Sequence, residues 1–163
     1  MVGTNNPSFI QLLKNPVHFL AFGFGAGLSP KAPGTFGTLV AIPLYILICA
    51  LSLPWYVAVV VVCCVLGIFI CGQTANDLGV HDHGGIVWDE IAGFLIALTA
   101  VPLTWWNIVL AFVLFRFFDI LKPWPISWLD KNVHSGLGIM LDDIVAGVFA
   151  WAILLFLNFV VLI

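Results

Sequence analysis

From Lys31 to Asp77 the chain runs without one Asp, Glu, Lys or Arg, and the same is true from Glu90 to Arg116 and from Asp143 to the last residue. Apolar runs of this length constrain the fold more than any other feature, because about 20 helical residues cross the hydrocarbon core of a bilayer. Only 8% of the chain is charged and 63% is hydrophobic, against about a quarter charged in an ordinary soluble domain. Too little polar surface remains to solvate a globule, so lipid is the expected solvent. The whole chain, residues 1–163, reads as a single membrane-embedded, all-α domain.

Five stretches are expected to span, near residues 36–53, 55–72, 86–103, 104–121 and 140–163. Pro54 with Trp55, and Pro102 to Thr104, suit short interfacial turns, and the polar segments 73–85 and 122–138 form the other two breaks. Residues 17–28 are apolar but too short to span. Their glycines favour an interfacial or re-entrant piece.

Threading these spans in and out puts the charged residues and all four histidines at or near one face of the bilayer. The two turns on the opposite face carry no charge. Because that charged face holds all five Lys and Arg, the positive-inside rule makes it cytoplasmic. No signal-peptide pattern opens the chain, so the spans themselves are expected to direct insertion. A net charge of −3 argues against nucleic acid as a partner. Cys49, Cys63, Cys64 and Cys71 lie in apolar runs without metal-type spacing and read as small buried hydrophobes.

The acids fall in groups: Asp77 and Asp82 in a loop, Asp89–Glu90 entering the third span, Asp119 leaving the fourth, and Asp142–Asp143 entering the fifth. Bases are interleaved at Lys31, Arg116 and Lys122, with Arg116 and Asp119 on one helical face. Helix dipoles favour acids at helix starts, which could account for any one of these residues. They do not account for the set, since carboxylates outnumber bases and repel one another in a low dielectric unless a cation intervenes. Oxygen ligands without a Cys/His constellation point to Mg²⁺ rather than zinc. Asp89 and Asp143 are the central candidates, each with a glycine one turn later (Gly93, Gly147) that lets a neighbouring helix approach.

Two further features are weighed. Residues 29–38, with Lys31, Pro33, Gly34 and Thr35, place a cation, hydroxyls and glycine backbone before a helix start, which suits an anion or is simply a helix-entry turn. His81, Asp82 and His83 offer an acid–base or metal role, although a solvated loop at headgroup level explains the histidines as well.

Three blocks, GFGAGLSPKAPGTFGTL, HDHGGIVWDEIAGF and FRFFDILKPWPISWLDKNVHSGLGIMLDDIVAG, together resemble the phosphatidylglycerophosphatase A family of Gram-negative bacteria. The resemblance covers the chain from about Asn15 to the last span. It implies a Mg²⁺-dependent inner-membrane phosphatase that converts phosphatidylglycerophosphate to phosphatidylglycerol. The family's acidic motifs fall on Asp82, Asp89, Glu90, Asp119, Asp142 and Asp143, its basic positions on Arg116 and Lys122, and its Pro-Gly-Thr turn on Pro33, Gly34 and Thr35. The resulting expectation has Asp89, Asp143 and Asp119 catalytic. Asp82, Asp89, Glu90, Asp142 and Asp143 would serve the metal, and Lys31, Thr35, Arg116 and Lys122 the substrate. A transporter is disfavoured because the outer halves of the spans are apolar throughout. A non-catalytic lipid-binding protein leaves the excess of carboxylates unexplained.

Overall fold

Proline, glycine and capping side chains set most helix boundaries. The structure is a computed structural model and describes residues 7–80 and 83–161, among which there are helices and turns but no strand. Helix α1 (Phe9–Lys14) starts in a capping box between Ser8 and Gln11, and α2 (Pro16–Ala21) is capped by the Asn15 side chain. A 3₁₀ stretch, Gly23–Leu28, follows and reverses the chain through positive φ at Phe24 and Gly25. Helix α3 (Pro33–Ile48) starts on Pro33, in the first turn, where no intrahelical N–H is needed, and carries a second proline, Pro43, inside. Helix α4 (Leu53–Leu78) ends at Gly79, whose φ of 67° makes the left-handed C-cap that glycine adopts without a steric penalty. Then come α5 (Trp88–Ala97), α6 (Trp105–Leu121, capped by Thr104), α7 (Ile126–Asn132) and α8 (Gly136–Val161).

Cross-helix contacts fix the directions of the five principal helices. Gly67 lies against Met140 and Gly72 against Gly136, so α4 runs antiparallel to α8. Asn107 pairs with Asn158 and Lys122 with Asp142, so α6 is also antiparallel to α8. Gly93 packs on Asp143 and Gly147 on Gly93, while the Trp151 indole donates to the Thr99 carbonyl, which makes α5 parallel to α8. Gly37 lies against Val87 and the Tyr45 hydroxyl donates to Val101, so α3 runs with α5. Thus α3, α5 and α8 point one way and α4 and α6 the other. One end of the bundle gathers Asp77, Asp89, Glu90, Arg116, Asp119, Lys122, Asp142 and Asp143, and among the described residues the far end has no charged side chain.

The spans differ in length from the expectation. Among the described residues two helices, Leu53–Leu78 and Gly136–Val160, are long and apolar enough to cross a membrane, not five; Pro33–Ile48 is apolar but shorter. The expected stretch 86–103 becomes a ten-residue helix, because residues 83–87 pack against α2 and Pro102 breaks the chain beyond Leu98. The stretch 104–121 gives the 17-residue α6. Residues 17–28 form no spanning helix. They stay at the charged end, where the Val87 N–H donates to Ala21 and His18 meets Asp77 at 2.8 Å.

Helix α5 is the core element. Trp88, Ile91, Ala92, Phe94, Leu95 and Ala97 are buried among α3, α4, α6 and α8. The long helices, by contrast, expose apolar side chains outward, including Leu47 (76% exposed), Phe69 (68%) and Phe159 (67%). An apolar belt of this extent suits hydrocarbon, since water would leave it uncovered.

Candidate metal centre

The centre forms where α5 and α8 cross in backbone contact. A Cβ at Gly93 would stand 2.7 Å from the Asp143 carbonyl oxygen and 2.6 Å from the Phe115 ring, and a Cβ at Gly147 would run into the Gly93 carbonyl. Small residues at a crossing let the axes close up. One turn before each glycine, Asp89 and Asp143 are thereby brought together. With Glu90 they form a group whose ligand oxygens all lie within 4.8 Å of one another. Asp143 is 3% exposed.

Asp89 and Glu90 occupy the first turn of α5, where the helix dipole favours acids, and the Glu90 N–H donates to Asp89 Oδ1 at 3.1 Å. Asp143 has no such excuse. Helix α8 begins at Gly136, one turn earlier than the expected 140, so Asp142 and Asp143 sit well inside it, where the dipole effect has faded.

Around this group the cations are already engaged. Arg116 Nη1 lies 2.5 Å from Asp119 Oδ2 and 3.7 Å from Glu90 Oε1, so the expected i,i+3 pair forms and extends to the three-carboxylate group. Lys122 Nζ lies 2.5 Å from Asp130 Oδ1 and 2.6 Å from Asp142 Oδ2, tying α7 to α8. Burial opposes its charge, but hydrogen bonds and attraction from Asp130 and Asp142 prevail and hold the Lys122 ammonium above its usual value. Several buried polar atoms at this end have no hydrogen-bond partner among the described residues: Glu90 Oε2, Arg116 Nε and Asp142 Oδ1. Such orphans are uncommon in folded proteins and suit a bound ion or water at this end.

The expected site residues therefore separate. Asp89, Glu90 and Asp143 converge, and Arg116 with Asp119 adjoins them. Asp142 turns one oxygen to Lys122 and is not part of the three-carboxylate group. Lys31 is exposed in the turn before α3, and Thr35 is partly exposed in its first turn. Asp82 and His81 lie outside the described residues. His83 is buried, its ring 5.5 Å from Phe22 and its Nδ1 accepting from the Gly85 N–H, so it is not in a solvated loop.

Asp130, the second partner of Lys122, escaped sequence reasoning, and Gly34, expected only as backbone suited to an anion, lies directly on Glu90 and Arg116. Asp130 stands eight residues beyond Lys122 across a Pro-Trp-Pro turn, so helical spacing gave no signal.

The donor set suits a hard divalent cation: carboxylate oxygens only, a spread that a small ion can draw in, and an orphaned Glu90 oxygen. The family model described as Phosphatidylglycerophosphatase A matches residues 19–158. Phosphatidylglycerophosphatase A of Escherichia coli is 54% identical over 147 residues, which is 90% of this chain and 86% of that protein. The protein of the same name from Haemophilus influenzae is 49% identical over 148 residues, 90% of this chain and 91% of its own length. No solved structure matches the chain. The matched region contains both sides of the α5–α8 crossing together with Arg116 and Asp119, and the chain belongs to the phosphatidylglycerophosphatase A family.

Proposed function

We propose that this protein hydrolyses the phosphomonoester of phosphatidylglycerophosphate, giving phosphatidylglycerol and phosphate, with Mg²⁺ held by Asp89, Glu90 and Asp143. The observation that carries the reading is the convergence of those three carboxylates beside Arg116 at the charged end of an otherwise apolar bundle, in a member of this family. In the same reading α3, α4, α5, α6 and α8 lie in the inner membrane, with the shorter helices completed by their flanking residues. The charged end faces the cytoplasm, as the positive-inside rule favours. The lipid's acyl chains then stay beside the exposed apolar faces while its phosphate reaches the carboxylates.

A cation held by Asp89, Glu90 and Asp143 would supply charge neutralisation for the phosphoryl oxygens and a more acidic water. The protein's own groups position the rest. Asp119 and Glu90 both draw on Arg116 Nη1, so its guanidinium is oriented before substrate arrives, and its other N–H groups can take phosphate oxygens. Asp119, Asp89 or Asp143 would take or deliver the proton at the attacking or leaving oxygen. Lys122, clamped between two acids, fixes the start of α8 and so the height of Asp143. Lys31 and Thr35, at the mouth of α3, remain available to the headgroup phosphates.

The test is phosphate release from phosphatidylglycerophosphate by the detergent-purified protein, first with Mg²⁺ and then with a chelator. Release with Mg²⁺ that stops with the chelator is expected. No release in either condition contradicts the activity, and release that survives the chelator contradicts the metal.

A further inference from the structure

Gly34 is the second residue of α3, and helix propensity alone would favour alanine there. Its backbone has no left-handed φ that would demand glycine. The reason for the missing side chain lies in space. A Cβ at position 34 would collide with Glu90 Oε1 and stand 3.0 Å from both Glu90 Cδ and Arg116 Nη1. The Gly34 carbonyl is meanwhile fixed by the buried Thr38 hydroxyl, which donates to it at 2.9 Å. The neighbouring backbone is held too, since the Thr35 N–H donates to Ala32 at 3.0 Å.

From this contact we infer that Gly34 is a positioning residue for the metal group. The first turn of α3 forms a wall against which Glu90 and Arg116 close. Glu90 is the one member of the three-carboxylate group that also faces the guanidinium, 3.7 Å away. A methyl at position 34 would push its carboxylate off the Asp89–Asp143 pair and off Arg116 together. The inference rests on the proposed metal-dependent reading of this site, and it assigns Gly34 no contact with substrate.

The experiment is a double-mutant cycle in the full-length protein between Gly34→Ala and Glu90→Asp, whose shorter side chain withdraws the carboxylate from position 34. Two readouts are taken: calorimetric titration with Mg²⁺ alone, and kcat and KM for phosphate release. Gly34→Ala is expected to lower kcat about 10²-fold, the scale of a misplacement near 1 Å, with little change in KM. It is also expected to weaken Mg²⁺ binding at least ~10-fold, and the same change in the Glu90→Asp background should cost less than ~3-fold. Should the single variant be too unstable for kinetics, the cycle is read in thermal unfolding, where Glu90→Asp must restore part of the loss. Equal penalties in both backgrounds, or normal cation affinity in folded Gly34→Ala, overturn the inference. The cation titration needs no substrate, so a wild-type protein that binds Mg²⁺ but releases no phosphate from this lipid would defeat the proposed activity and leave the Gly34 coupling to be judged separately.

Discussion

The two ends of the bundle handle buried polar groups in opposite ways. At the far end they are matched. Asn107 and Asn158 exchange amide hydrogen bonds at 3.0 Å, the Tyr56 hydroxyl donates to the Leu95 carbonyl at 2.7 Å, and the Trp151 indole reaches the Thr99 carbonyl at 2.8 Å. At the charged end, Glu90, Arg116 and Asp142 each leave a buried atom without a partner among the described residues, and three carboxylates converge. Matched polar groups stabilise; unmatched ones cost free energy and persist where something else must bind. In the proposed reading the far end holds the helices together and the charged end carries the chemistry.

Substitutions can break that contrast. Asp89→Asn and Asp143→Asn should show the largest effect: loss of phosphate release by at least about 10²-fold, the scale of removing a charge-stabilising group, with the protein still folded by circular dichroism. A near-normal rate in either variant removes that residue from the site. Arg116→Lys comes next. Lys keeps the charge but loses the planar fork that Asp119 and Glu90 orient, so kcat should fall at least ~10-fold with thermal stability little changed.

At the far end the roles reverse. Asn107→Ala leaves the Asn158 amide short of a partner and should lower unfolding stability by about 1–3 kcal/mol, while turnover per folded molecule stays as in the wild type. A fall in turnover without loss of stability would mean that the far end takes part in the chemistry.

The smallest effect concerns Lys122. Its folded-state value is raised above the ordinary 10.5, so the clamp's contribution is fully present below that pH and fades as pH rises through the folded value. The stability difference between wild type and Lys122→Met should therefore be flat from about pH 6 to 9, and should shrink only in strong alkali. A difference that varied across the neutral range would show that Lys122 is not held as the structure has it.

This division was partly legible in the chain. The one-sided charge followed from the charge-free runs and from counting passages, and the alternating helix directions preserve it. The glycine one turn after Asp89 and after Asp143 was legible as a close approach, because spacing along one helix shows which residues share its face. What spacing could not show was distance across the fold. That Lys122 is committed to Asp130 and Asp142, and that Gly34 abuts Glu90, depends on α7 and α8 meeting the end of α6 and on α3 packing on α5, which no local pattern encodes. Helix lengths were misjudged for a related reason. An apolar run shows what lipid or core will accept, but before α5 the Val87 N–H bonds to Ala21 in α2 and residues 83–86 form a turn.

The most direct test of the contrast is titration of the purified protein with Mg²⁺ by calorimetry, comparing wild type with Asp143→Asn and Asn107→Ala. The account predicts saturable binding in the wild type, its loss in Asp143→Asn and its retention in folded Asn107→Ala. Unchanged binding in Asp143→Asn would contradict it.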